Sequence, residues 1–222
     1  MAMTNGGVPA MTALAKWLAA SHGVEVETGT TVVDLGTVPA RAHLLTAPVP
    51  QSLAVLSFSG LLPPPDLHQQ LAQIAYKPTI AVLLELAGTP QGFPDHGGVQ
   101  YLDHPTLAFV TDNQRKGVSG QPAVTIHLTN EVSAARWADS DDALVALAVD
   151  SAAAHLTGAP VTSSQVMRWR YAGPVEVWPD RTASWGTDPM VCLAGEAFGG
   201  PKVEGAYLSG VAAATVIDAA LD

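Results

Sequence analysis

The stretch Val191-Cys-Leu-Ala-Gly-Glu-Ala-Phe-Gly-Gly-Pro-Lys-Val-Glu-Gly-Ala-Tyr-Leu-Ser-Gly-Val-Ala-Ala-Ala214 constrains this chain more than any other. Its apolar start reads as a buried strand, its glycines as a tight loop, and its end as a helix opening with small residues at Gly205, Ala206, Ser209, Gly210 and Ala213. Small side chains let an extended aromatic ligand, or another backbone, come close to the helix start. Unpaired N–H groups there, with the positive end of the helix dipole, suit an electron-rich atom. The same residues also fit a helix packed tightly on a sheet, with Glu204 stabilising its own N-terminus. Composition alone does not separate the two.

Composition narrows the surroundings of that stretch. The 222 residues carry 10 Lys+Arg against 20 Asp+Glu, a net charge of −10, with 14% charged and 48% hydrophobic residues. So few charges and so much apolar character describe a packed globular chain. The acidity leaves no basic footprint for phosphate neutralisation, which argues against nucleic acid and anionic membrane surfaces as partners. The single cysteine, Cys192, has no intramolecular partner and fits a reducing cytosol. No signal peptide opens the chain, and the most apolar long stretch, Gly205 to Leu221, carries Ser209, Thr215 and Asp218, so a cytoplasmic location without a membrane span is expected. The histidines His22, His43, His68, His96, His104 and His155 lack ligand spacing, so no metal site is expected.

Along the chain, Pro9 at an early helical position, Ala10 to Ala20 and a stop at Gly23 predict a first helix, with Met11, Leu14, Trp17 and Leu18 on its apolar face. Residues 24–28 and 30–35 read as short strands around Gly29, and 42–46 as another. Helices are expected over 52–58 and from Asp66 to about Ile74. Runs 79–86, 107–111 and 123–129 read as antiparallel strands, and Ser140 caps a helix running to about Leu156. Strand 165–171, a Pro/Trp-rich loop over 173–189, strand 190–194 and a terminal helix from about Glu204 complete the reading. The fold class is α/β (α+β), with an inserted antiparallel-sheet-plus-helices domain at 49–185 between pieces at 1–48 and 186–222.

The segment Gly195-Glu196 through Gly200-Pro-Lys-Val-Glu-Gly-Ala-Tyr-Leu-Ser-Gly210 resembles the C-terminal flavin motif of the amine oxidase superfamily of FAD enzymes, and most of all its renalase-like branch. Gly23 to Leu35 resembles the strand pair that cradles adenine, and His43 to Pro50 the strand and crossover that follow. Thr111-Asp-Asn-Gln-Arg-Lys116 resembles a family turn, and Val124 to His127 and Arg168 to Ala172 resemble strands that wall the flavin. The resemblance implies a partial FAD-binding Rossmann-like domain around a substrate domain. It places Val32 at the adenine, Gly195 and Glu196 at the ribityl-pyrophosphate, and the backbone N–H groups of Val203, Glu204, Gly205 and Ala206 at the flavin N1/O2 edge. Glu196 stands where the motif more often has Asp.

The implied chemistry is hydride transfer from a dihydronicotinamide dinucleotide or an amine to flavin N5, with reoxidation by O2 to hydrogen peroxide. That needs orientation and a shielded flavin face more than a base. The candidate catalytic residues are His127, Trp169 and Tyr171. His127 reads either as a hydrogen-bonding partner of the substrate or as a satisfied core histidine. Trp169 and Tyr171 alternate with Arg168 and Arg170, so one pair faces inward, to stack on a ring or to pack the core. Asp112 and Asn113 fit an Asx-type turn.

The family's opening strand, G-x-G-x-x-G and helix are not found in these 222 residues. Three expectations follow from that: a truncated enzyme unable to hold FAD fully alone, a chain complemented by an N-terminal partner polypeptide, or a self-associating interaction module that has lost flavin.

Overall fold

The computed structural model describes residues 12–200 and 202–222. Pro9, Ala10 and Met11, expected in the first helix, lie outside the described residues. In chain order the elements are α1 (Ala13–Ser21), a 3-10 turn (Leu35–Thr37), β1 (Ala42–Leu45), α2 (Val49–Phe58), α3 (Pro65–Ala72), β2 (Tyr76–Leu86), β3 (Gly98–Gln100) and β4 (Leu107–Asp112). There follow β5 (Ala123–Leu128), α4 (Asn130–Ala135), α5 (Asp141–Ser151), β6 (Val161–Pro174), β7 (Ala183–Trp185), β8 (Met190–Leu193), α6 (Glu196–Gly199) and α7 (Val203–Leu221). They group into two compact units, one of residues 12–28 with Pro78–Arg170, the other of Gly29–Lys77 with the described residues of Tyr171–Asp222.

The first unit is built on a sheet of order β3-β4-β5-β2-β6. β5 pairs antiparallel with β2 and β4, and β3 with β4. Burial alternates along β5, so Val124, Ile126 and Leu128 point to one face and Ala123, Thr125 and His127 to the other. The buried face joins Ile80, Val82, Leu84 and Val110 to Leu144 and Ala148 of α5 in one core. The Ser140 hydroxyl accepts from the Ala143 N–H at 3.3 Å, as expected of a cap. Thr129 caps the short α4 in the same way through the Val132 N–H. α1 ends as expected, with Gly23 at φ +64° and the Val24 N–H bonded back to the Ala19 carbonyl at 2.9 Å. Its expected apolar face is not buried, since Leu14 and Trp17 are about half exposed.

The strands expected at 24–28 and 30–35 do not form. That stretch is irregular up to the 3-10 turn at Leu35, where Asp34 Oδ1 accepts from the Gly36 N–H. β-Branched residues supply local propensity there, but Val24, Val26, Val32 and Val33 are exposed, and a pair of strands without a packed face is marginal in water.

The second unit holds a smaller sheet of order β1-β8-β7, with β1 and β8 parallel and β7 antiparallel to β8. One face packs Val191 and Leu193 against Val49, Leu53, Leu56 and Leu71 from α2 and α3. The other face packs Cys192 and Ala194 against Ala213 and Ile217 of α7. The Trp185 indole donates to the Leu61 carbonyl at 3.1 Å. The segment 49–77, which the sequence groups with the inserted domain, thus packs with the C-terminal strands. The second unit also resumes at Tyr171, well before 186. Apolar burial by α2 and α3 makes this difference, and burial against a strand more than a hundred residues away has no local sequence signal.

Candidate functional site

Beyond the carboxyl ends of the parallel strands β1 and β8, where open α/β sheets bind ligands, the second unit encloses a cavity of about 360 Å³. Thr46, Ala47 and Pro48 follow β1 on one side, and Gly195, Glu196 and Phe198 follow β8 on the other. Ala206 and Gly210 present the small-residue face of α7 to it, and Tyr76 closes a further side.

Backbone demands shape this cavity. Gly195 has φ +120°, and a Cβ there would lie 3.3 Å from the Thr46 carbonyl oxygen. Ser209, fully buried, holds the loop: its Oγ accepts from the Gly195 N–H at 2.9 Å and donates to the Arg181 carbonyl at 2.6 Å. A Cβ on Gly199 would meet the Gly205 carbonyl oxygen at 1.8 Å, and one on Gly205 would meet the Gly200 carbonyl oxygen at 2.1 Å. The two glycines let α6 and the start of α7 cross at backbone contact. Lys202, at the N-cap of α7, has φ +89°, and no side chain caps that helix. A non-glycine residue held in this region marks a strained turn.

Two ionisable residues, Glu196 and Tyr76, line the cavity. The Glu196 carboxylate has no hydrogen-bond or ion-pair partner among the described residues, and burial pushes its pKa up. The Tyr76 hydroxyl accepts from the Val49 N–H at 3.0 Å, which leaves its own proton to donate. Burial raises the pKa of this phenol, the Glu196 charge adds to the rise, and the Val49 hydrogen bond opposes it. The Tyr171 ring packs edge-on against Tyr76, centroids 5.5 Å apart.

The expected site residues therefore separate. Gly195, Glu196 and Ala206 line one cavity, and Val203, Glu204 and Gly205 form the uncapped first turn of α7. Val32 lies in the irregular stretch, 41% exposed and away from the cavity lining. Tyr171 stands by Tyr76 in the second unit. In the first unit His127 meets Trp169 edge-on at 5.8 Å. Arg168 turns the other way, bonding Asp141 at 2.7 Å and the Trp137 and Asp139 carbonyls, and Arg170 lies over the Trp137 ring. Burial, followed by the Lys116 charge, lowers the pKa of His127, which keeps the imidazole neutral at pH 7. Asp112 Oδ1 accepts from the Arg115 N–H, closing the expected turn. Sequence reasoning missed Tyr76, which opens β2 and carries no motif.

Among the described residues no helix is long and apolar enough to cross a membrane, and no group of His, Cys, Asp and Glu is arranged to hold a metal ion.

A glycine-rich loop and a small-residue helix start at the ends of parallel strands in one unit, and an antiparallel sheet with helices in the other, define a mixed α/β fold like that of FAD-dependent oxidoreductases. Residues 12–218 match the family described as flavin containing amine oxidoreductase, and the chain belongs to that family. A putative protoporphyrinogen oxidase from Exiguobacterium is similar in fold, with 17% identity and a TM-score of 0.53 over 79% of this chain and 40% of that one. An oxidoreductase from Methanosarcina mazei is also similar, at 12% identity and a TM-score of 0.49 over 78% of this chain and 42% of that one. This chain thus spans less than half the length of either. No curated protein matches the sequence.

Proposed function

We propose that the cavity beside Gly195 and Glu196 holds the isoalloxazine and ribityl end of FAD in a renalase-like oxidoreductase of this family. The unpartnered Glu196 carboxylate facing a wall of small residues carries the reading. An acceptor held half-buried without a protein partner fits a ligand hydroxyl, and Ala206 and Gly210 leave room for a flat ring. Bound flavin supplies hydride uptake at N5 from a dihydronicotinamide-type or amine donor and returns the electrons to O2 as hydrogen peroxide. Glu196 accepts a ribityl hydroxyl, Tyr76 donates its free proton, and the first-turn N–H groups of Val203, Glu204 and Gly205 favour negative charge at the N1/O2 edge, whereas the expected Ala206 N–H is already bonded to the Lys202 carbonyl at 3.2 Å. Tyr171 excludes water behind Tyr76. Within the first unit, His127 and Trp169 are the residues assigned to orient the donor.

Titration of the chain with FAD, FMN and riboflavin tests this, read by flavin fluorescence and absorption. The expected result is binding of all three within about tenfold of one another, because the ring and ribityl contacts are common to them, and weakening in Glu196→Ala. No spectral change with any of the three overturns it. Anaerobic mixing of a flavin-loaded sample with α-dihydronicotinamide isomers then reads the donor class, bleaching being the expected outcome.

A second reading rests on β1, an edge strand whose Leu44 is 42% exposed. Such an edge suits strand addition from a partner or a second copy, as a non-catalytic module. Self-association in the absence of any flavin binding distinguishes it.

A further inference from the structure

The glycine pair Gly97-Gly98 has no part in the flavin cavity, yet it organises a second group of side chains in the first unit. A Cβ on Gly97 would lie 3.1 Å from Lys116 Cγ, and one on Gly98 would lie 3.2 Å from Phe109 Cζ. The two bare backbones thus seat a lysine stem and a phenyl ring side by side, with Lys116 Nζ 5.5 Å from the Phe109 centroid. His127 is the cross-strand partner of Phe109, with ring centroids 6.2 Å apart, and Trp169 stands edge-on beyond it. Trp169 is 43% exposed, so this row of rings is open to a ligand.

Lys116 is the cation of that row. Arg115, Arg136 and Arg168 are paired with Asp112, Asp139 and Asp141, whereas Lys116, like the other described lysines, forms no ion pair with a described carboxylate, and it alone of the lysines lies over an aromatic ring among the described residues. In a chain of net charge −10, an ammonium that avoids every carboxylate and is seated on an aromatic ring is available to an outside anion. An ammonium binds phosphate or carboxylate as a point charge, and ring edges and faces hold a planar group beside it. The neutral His127 adds a hydrogen-bonding nitrogen without competing for the anion.

We propose that Lys116, Phe109, His127 and Trp169 form a subsite for a planar ring bearing an anionic group, with Lys116 setting the selectivity for that charge. This rests on the reading that His127 and Trp169 orient the donor, and it adds the residue that selects among donors.

Isothermal titration calorimetry on the full chain, without flavin and at low salt, tests it with two matched pairs of probes. Nicotinamide mononucleotide against nicotinamide riboside isolates a phosphate, and nicotinate against nicotinamide isolates a carboxylate. The member of at least one pair that bears the anionic group is expected to bind about tenfold tighter, with the preference shrinking as salt screens it. Lys116→Ala removes the preference without weakening the member that lacks the anionic group, Lys116→Arg keeps it, and Trp169→Ala weakens both members alike. Thermal melting confirms that each variant is folded. Absence of binding by all four probes, equal affinity within both pairs, or a preference surviving in Lys116→Ala overturns the proposal. A chain that binds riboflavin but shows no charge preference loses this subsite alone. A chain with the preference but no flavin binding loses only the flavin reading.

Discussion

The two sheets are held together by different means. In the first unit, β3, β4 and β5 follow one another and pair antiparallel, and their alternating residues bury Val110, Val124 and Ile126 against Leu144 and Ala148. In the second unit, Ala42 pairs with Met190 in a parallel ladder across most of the chain, and the loop beyond it is shaped by Gly195, Gly199, Gly205 and the buried Ser209 hydroxyl. One region draws its stability from interdigitated apolar side chains. The other gives up side chains where backbones must cross, and that omission opens the cavity. The region built on glycine is the one suited to a ligand.

Substitutions can break this contrast. Leu144→Ala removes a fully buried side chain from the first core, and a loss of about 2–5 kcal/mol is expected in chemical unfolding. Riboflavin affinity per folded molecule should stay unchanged, because Tyr76, Ala197 and Phe198 of the cavity wall belong to the second core. Gly205→Ala places a methyl against the Gly200 and Gly199 carbonyls, and the strain expected of overpacking is about 1–3 kcal/mol. The same variant should lose most of its riboflavin binding, since the loop has to shift to admit the methyl. If Gly205→Ala binds as the parent does, the claim that backbone crossing shapes the cavity fails.

The smallest effect sharpens the comparison through pH. The folded pKa of His127 is lowered from 6.5 by burial and by Lys116, so the unfolded chain takes up its proton first as pH falls. The contribution of neutral His127 is complete above 6.5 and is lost as pH drops from 6.5 toward the lower folded value. Melting temperatures measured across that interval should therefore fall less steeply in His127→Gln than in the parent chain. Equal slopes would place His127 in a solvent-like environment.

Some elements are plain in the residues themselves. The Ser140 cap, the alternation in 123–128, the apolar run Met190 to Leu193 and the start of the last helix all rest on interactions within a few positions of one another. The 3-stranded sheet is different, because β1 and β8 select each other only when α2, α3 and α7 bury both faces. Val24 to Val33 shows the opposite failure, in which strand-forming residues find no surface to cover and stay irregular. At the site, Gly195, Glu196 and Ala206 were legible because the glycine-rich motif is contiguous. Tyr76 was not, since its role comes from the Val49 N–H and the Glu196 carboxylate, which lie 27 and 120 positions away. Lys116 was visible only as part of a turn, because its partners Phe109 and Gly97 meet it through the fold.

The sequence by itself determined the family, the mixed α/β class, and the strand, loop and helix that carry the flavin motif. Those features depend on short-range periodicity and on residues whose backbone freedom is intrinsic. The tertiary structure alone decided which segments share a core with that motif, that Trp169 rather than Arg168 lies beside His127, and that Lys116 is seated over the Phe109 ring. These are outcomes of burial and charge pairing between distant segments, and both are properties of the packed chain as a whole.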